Sequence, residues 1–185
     1  ELRAEGSVIS PYVRSAAAIS EHGSALGELA ASGPRTASRA GLYAGVVESV
    51  REGYLLHYGS PRLIEPPDPD LALLAGDYLY AKGLGLLAAE GDLESVHLLA
   101  ALISASAELH ATGAGSAAAA LWLATAVAIA VGPEARGFAA VSAVRTDAEA
   151  QGLYARAADL AARAGLGDGL ARAAETVGFR PSPRG

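Results

Sequence analysis

The chain has 185 residues, 51% of them hydrophobic and 18% charged, with a formal net charge of −6 and a pI near 5.2. That balance excludes an intrinsically disordered chain, and an acidic protein without a basic stripe is a poor nucleic-acid surface. With no cysteine, disulfides, thiolate metal sites and cysteine nucleophiles are excluded as well.

A chain of this length suits one domain that buries roughly two-thirds of its unfolded surface. Ala and Leu dominate while aromatic residues are sparse. Both residue types lose little rotamer freedom in a helix, so the expected class is all-α. The lack of Cys fits a reducing cytoplasm, which is the expected location. The N-terminal ELRAEGSVISPYVR has no basic-then-apolar signal layout. The chain contains no Met, so its native start is expected to lie outside this sequence.

In chain order, a first helix is expected from Pro11 to Ala31, stopped by Ser32-Gly33-Pro34. A second runs from about Thr36 to His57, with Leu42, Val46, Val50, Leu55 and Leu56 at near 3–4 spacing on a core-facing side. Tyr58 to Asp70 holds Pro61, Pro66, Pro67 and Pro69 and reads as irregular. Asp70 is the expected N-cap of a helix over Leu71–Ala89, and Gly91 closes it. Asp92 then caps a helix to Ala111, with Ser95 in place of the Glu or Gln of a full capping box.

Gly113 and Gly115 precede an apolar helix that ends near Val131. Pro133 suits the first turn of another, and the Ala-rich remainder reaches Ala164. Gly165, Gly167 and Gly169 break the pattern before a closing helix up to Val177. The expected architecture is one bundle of seven or eight helices over residues 1–178, with a disordered tail over 179–185.

Residues 111–133 carry no charge, yet their Ala, Gly, Ser and Thr content favours a helix at the centre of a bundle, with no stable membrane insertion. Glu65, Asp68 and Asp70 lie together, but Pro-Asp-Pro-Asp reads as a turn followed by a helix cap. His22, His57, His97 and His110 lack metal-ligand spacing and read as polar or half-buried helix residues. Ser10, Ser24 and Ser60 lack a nucleophile-elbow setting. Gly83-Leu84-Gly85 has no third Gly and no preceding strand, so it is not a phosphate loop.

Gly76-Asp77 inside a helix is unusual, because Gly there costs about 1 kcal/mol relative to Ala. Close helix packing is one explanation. The run LLAGDYLYAKGLGLLAAEGD also resembles the helix that follows the first metal motif of the isoprenyl diphosphate synthases. The resemblance spans roughly Leu42 to Ala164. It sets LLHYGSPR where that family has LLHDDxxD, so Tyr58, Gly59 and Arg62 stand in place of three magnesium-binding aspartates. Magnesium needs hard oxygen ligands, which these residues do not supply. Further on, VSAVRTDAEAQGLYARAADL offers Asp147, Glu149 and Asp159 but no DDxxD.

The resemblance therefore implies an isoprenoid-synthase-like fold without catalytic or metal-binding residues. It is most similar to the non-catalytic small subunit, component I, of heteromeric heptaprenyl or hexaprenyl diphosphate synthases, which serve menaquinone side-chain synthesis. Magnesium would then sit on a catalytic partner subunit, with no cofactor bound by this chain. A homodimer binding a hydrophobic ligand or a protein is the alternative. In the family, the residues four and five before the first aspartate line the prenyl tunnel, and these correspond to Tyr54 and Gly53. Leu55, Tyr58, Asp77, Tyr78 and Trp122 complete the candidate apolar pocket or interface.

Overall fold

The computed structural model describes residues 6–7, 9–15, 23–132 and 144–182. Among them are seven α-helices and no strand: α1 (Ala25–Ala31), α2 (Ala40–Tyr58), α3 (Pro69–Ala89), α4 (Leu93–Ala111), α5 (Ala118–Val131), α6 (Asp147–Arg163) and α7 (Gly167–Thr176). The fold is all-α.

At the centre lies α5, where every residue except Ala119 is buried. Helices α1, α4, α6 and α7 pack around it. Its Ala-rich, uncharged sequence is that of a core helix, because all of its sides must pack against neighbours. A second, smaller core joins Ile9, Leu56, Ile64, Ala75 and Leu79 at the α2–α3 end.

The most extensive helix pair is α2 with α3. Glycines make that approach possible. A Cβ on Gly53 would stand 2.9 Å from the Gly76 carbonyl oxygen, and one on Gly76 would stand 2.6 Å from His57 Nε2. One on Gly83 would meet Val50 Cγ2 at 2.6 Å. Gly76 thus serves close packing, which accounts for its place in a helix interior.

Three expectations need correction. The helix expected over Pro11–Ala31 is interrupted: a 3-10 turn at Ser10–Tyr12 leads into an isolated antiparallel bridge between Val13 and Ile64. The apolar periodicity there serves strand-like pairing, with Arg14 N–H donating to the Leu63 carbonyl at 2.8 Å. The remainder of that stretch, 16–22, lies outside the described residues, as does the helix expected at Pro133. Asp68, not Asp70, caps α3 by accepting from Leu71 N at 2.8 Å, which sets Pro69 in the first turn where its missing N–H costs nothing. The tail expected to be disordered from Phe179 is held as far as Ser182. Phe179 packs on Tyr154 at a ring-centroid distance of 4.8 Å, while Gln151 Nε2 donates to the Arg180 carbonyl and its Oε1 accepts from Ser182 N.

Arg35, just after the α1 breaker, ties two helix ends together. Its N–H donates to the Ala130 carbonyl at 3.1 Å and its guanidinium to Ile129 O, so it takes up orphan carbonyls at the end of α5. The same guanidinium pairs with Asp92, the N-cap of α4, and donates to Ser95 Oγ at 2.8 Å. Burial opposes ionisation of Asp92, but the Ser95 hydroxyl and amide, the Tyr43 phenol and Arg35 outweigh it and hold the carboxyl below its ordinary value.

Candidate functional site

The last two turns of α2 carry Tyr54, His57 and Tyr58, residues whose 3–4 spacing puts them on one side of the helix. They start a continuous aromatic chain. Tyr80 of α3 stacks on His57 at 5.4 Å, and His57 touches Tyr58. Tyr58 stacks face to face on His110 of α4 at 4.3 Å, and Tyr54 meets Trp122 of α5 edge-on at 5.4 Å. The Tyr54 hydroxyl and His110 Nε2 share a 3.0 Å hydrogen bond. Four helices thus meet through rings whose offset and edge contacts each contribute about 0.5–1.5 kcal/mol beyond burial.

The residues singled out from the sequence are divided between three places. Tyr54, Leu55 and Trp122 line a cavity of about 460 Å³ together with Arg51, Ser116, Ala119 and Thr176. Tyr58 lies beside it on His110, and Gly53 is buried at the α2–α3 crossing. Asp77 is exposed and pairs with His57 at 3.2 Å. Tyr78 faces elsewhere, into an apolar groove of about 370 Å³ lined by Ser7, Ile9, Leu71 and Leu74.

Sequence reading missed a buried polar cluster on α2. Glu52 is fully buried, and its carboxylate accepts from the backbone amides of Arg62, Leu63 and Ile64 at 2.7 to 3.1 Å. Arg62 folds back to donate to Glu48 at 2.7 Å and to the Gly23 carbonyl at 3.1 Å. The proline-rich loop is thereby strapped to α2. The signal was Glu48, Arg51 and Glu52 at helical 3–4 spacing beside the core valines Val47 and Val50.

These contacts bear on the place where the resemblance would set a metal motif. Tyr58 is stacked, Gly59 has no side chain, and Arg62 brings a cation already engaged by two glutamates. The residues present do not fit a magnesium ion. Of the later acids, Glu149 forms a capping box with Thr146 at the start of α6, and Asp147 lies in its first turn. Asp159 lies further along α6. Among the described residues, no three His, Asp or Glu side chains stand together as metal ligands.

His110 gives the cluster a pH dependence. Burial pushes its imidazole below the ordinary value of 6.5, so the unfolded chain takes up the proton first. The stability this contributes is full above pH 6.5 and is lost as pH falls through the lower folded value. Thermal unfolding at stepped pH should show this limb in the parent protein and a weaker one in His110→Gln. An unchanged profile would show that His110 does not carry it.

No family model, curated protein or solved structure matches the chain.

Proposed function

We propose that the chain is a non-catalytic small subunit of a heteromeric long-chain prenyl diphosphate synthase, of the kind that makes menaquinone side chains. On this reading it acts in the cytoplasm, binds no metal itself and pairs with a catalytic subunit that holds Mg²⁺. The reading rests on the sequence resemblance along α3 and α4. The structural observation that carries it is the outward face of α3.

Leu74 is 65% exposed, Leu73 and Tyr78 near it are exposed too, and Leu86 is exposed about three turns further along the helix. Among the described residues α3 is the one helix long and apolar enough to cross a membrane, yet only 28% of that stretch is buried. A monomer gains nothing from an apolar helix face left in water, whereas a heteromer buries it. Loss of metal ligands leaves such a face untouched, so a scaffold without catalytic residues still has a surface for a partner.

Co-expression with a synthase subunit bearing two intact DDxxD motifs provides the test. A stable heteromer with Mg²⁺-dependent prenyl transfer is expected, with no turnover by this chain alone. Leu74→Glu should weaken the heteromer at least tenfold while leaving the melting temperature of the isolated chain unchanged. Turnover of allylic and isopentenyl diphosphates by the isolated chain would sink the proposal. A homodimer indifferent to any synthase, and dissociated by Leu74→Glu, would favour self-association instead.

A further inference from the structure

With no cysteine and no methionine in the sequence, Tyr and Trp are the side chains here that give up a single electron most readily. The chain has seven tyrosines, one tryptophan and four histidines. Three of those tyrosines, the tryptophan and two of the histidines form the one cluster where α2, α3, α4 and α5 meet. The oxidisable side chains are thus concentrated in one place.

Tyr58, 39% exposed, is the outer end of the cluster. Its ring centroid lies 4.3 Å from that of His110 and 5.5 Å from that of Tyr54, and Tyr54 meets Trp122 at 5.4 Å. Trp122, 3% exposed, is the inner end. Electron tunnelling falls off steeply with distance, and these rings are in contact. A path for an electron therefore runs from the buried indole to the surface.

Tyr54 also has a proton acceptor in place. Its hydroxyl lies 3.0 Å from His110 Nε2, within the reach needed for direct proton transfer. Burial, with Tyr58 adding and Arg51 opposing, pushes the phenol up, so it keeps its proton until an electron leaves. Burial pushes the His110 imidazole down, so at neutral pH it is uncharged and able to accept. A phenol that has lost an electron is a very strong acid, and even a weakly basic imidazole takes its proton.

We propose that Tyr54 is a redox-active tyrosine, converted to a neutral phenoxyl radical by a one-electron oxidant such as a diffusible oxygen- or nitrogen-centred radical. The electron passes to the oxidant by way of Tyr58. The O–H bond of Tyr54 breaks, and its proton forms a new N–H bond at His110 Nε2. The oxidant is reduced by one electron, and His110 becomes an imidazolium that donates to the radical oxygen. A one-electron reductant such as ascorbate reverses the step, and the proton returns to the phenol. Nothing in this chemistry depends on the synthase reading.

Nitrogen NMR shifts of the imidazoles in the intact chain give a first check. Nε2 of His110 should be the unprotonated ring nitrogen at neutral pH. A proton on Nε2 would make the phenol oxygen the acceptor and overturn the proposal. Azide radicals, generated by pulse radiolysis, serve as the oxidant in the second check. Rapid-freeze electron paramagnetic resonance should then show a phenoxyl radical coupled to an exchangeable proton in the O···H–N bond. Tyr54→Phe, which removes only a hydroxyl, should abolish that signal with helical content retained. His110→Gln should remove the exchangeable coupling and lower the phenoxyl yield about tenfold or more, since a positioned proton acceptor contributes about 10²–10⁴-fold to such steps. A signal that survives Tyr54→Phe but is lost in Tyr78→Phe would place the radical on the exposed tyrosine of α3 and overturn the proposal. A phenoxyl yield in His110→Gln equal to the parent's would do the same.

Discussion

Glu52→Ala is expected to lower folding stability by about 3–5 kcal/mol, read as a drop in the urea midpoint at unchanged slope. The size follows from what the carboxylate holds. Three consecutive amides, from Arg62, Leu63 and Ile64, converge on it, and the Arg62 guanidinium approaches at 3.6 Å. Alanine leaves those amides buried without acceptors and leaves Arg62 with Glu48 as its one acidic partner. Water cannot easily replace the carboxylate, because the position has no exposure. Glu52→Gln keeps one acceptor oxygen but offers its own N–H groups to donors, so its cost should be intermediate. A loss below about 1 kcal/mol for the alanine variant would place Glu52 among ordinary surface hydrogen bonds and refute the strap.

Gly33→Ala comes next, with an expected cost of about 3 kcal/mol from overpacking. A Cβ at this position would lie 2.2 Å from the Ala130 carbonyl oxygen and 2.5 Å from its carbonyl carbon. Backbone in the last turn of a wholly packed helix cannot move aside as a side chain can. The shift would also pull Arg35 N–H from Ala130 O, undoing the cap at the end of α5. Gly45 offers the contrast. It sits within α2, and a Cβ there meets nothing within 4 Å, so Gly45→Ala should gain about 0.5–1 kcal/mol. Thermal denaturation of the pair separates steric cost from helix propensity. A Gly33→Ala variant as stable as the parent would mean that the α1–α5 junction relaxes freely.

Local chemistry in the sequence located several helix ends well. The expected bounds of α4, Leu93 to Ala111, are those observed, because Gly91-Asp92 combines a left-handed stop with a side-chain acceptor for Ser95 N. Where two acids competed to cap α3, the intervening Pro69 decided for Asp68, a preference that local sequence already contained. Long-range pairing was not legible. Nothing in the periodicity around Val13 shows that it meets Ile64 about fifty residues later. The same limit applied to the site. Tyr54 and Tyr58 share a helix face and could be paired in advance, and Trp122 was picked out with them. The contacts of Glu48, Arg51 and Glu52 come from the proline-rich loop and α7, which lie outside their own helix. The partnership of His110 with Tyr54 likewise depends on how α4 crosses α2.

The Arg35 junction also determines where this molecule has an electric field. It holds the first residues of α4 beside the last of α5, so the two helices run antiparallel as a hairpin. At that end Asp92 sits on the positive pole of α4 and Arg35 on the negative pole of α5. Each pole is answered by an opposite charge, and the field there dies away quickly. At the other end the first turn of α5 has no acid of its own, the nearest carboxylate contact being Asp147 on Ser116 at 3.4 Å, and burial lowers the proton affinity of His110 near the end of α4. The hairpin is thus electrically lopsided: a close ion pair answers both poles at the Arg35 end, and one exposed carboxylate, held through a long hydroxyl contact, stands at the other.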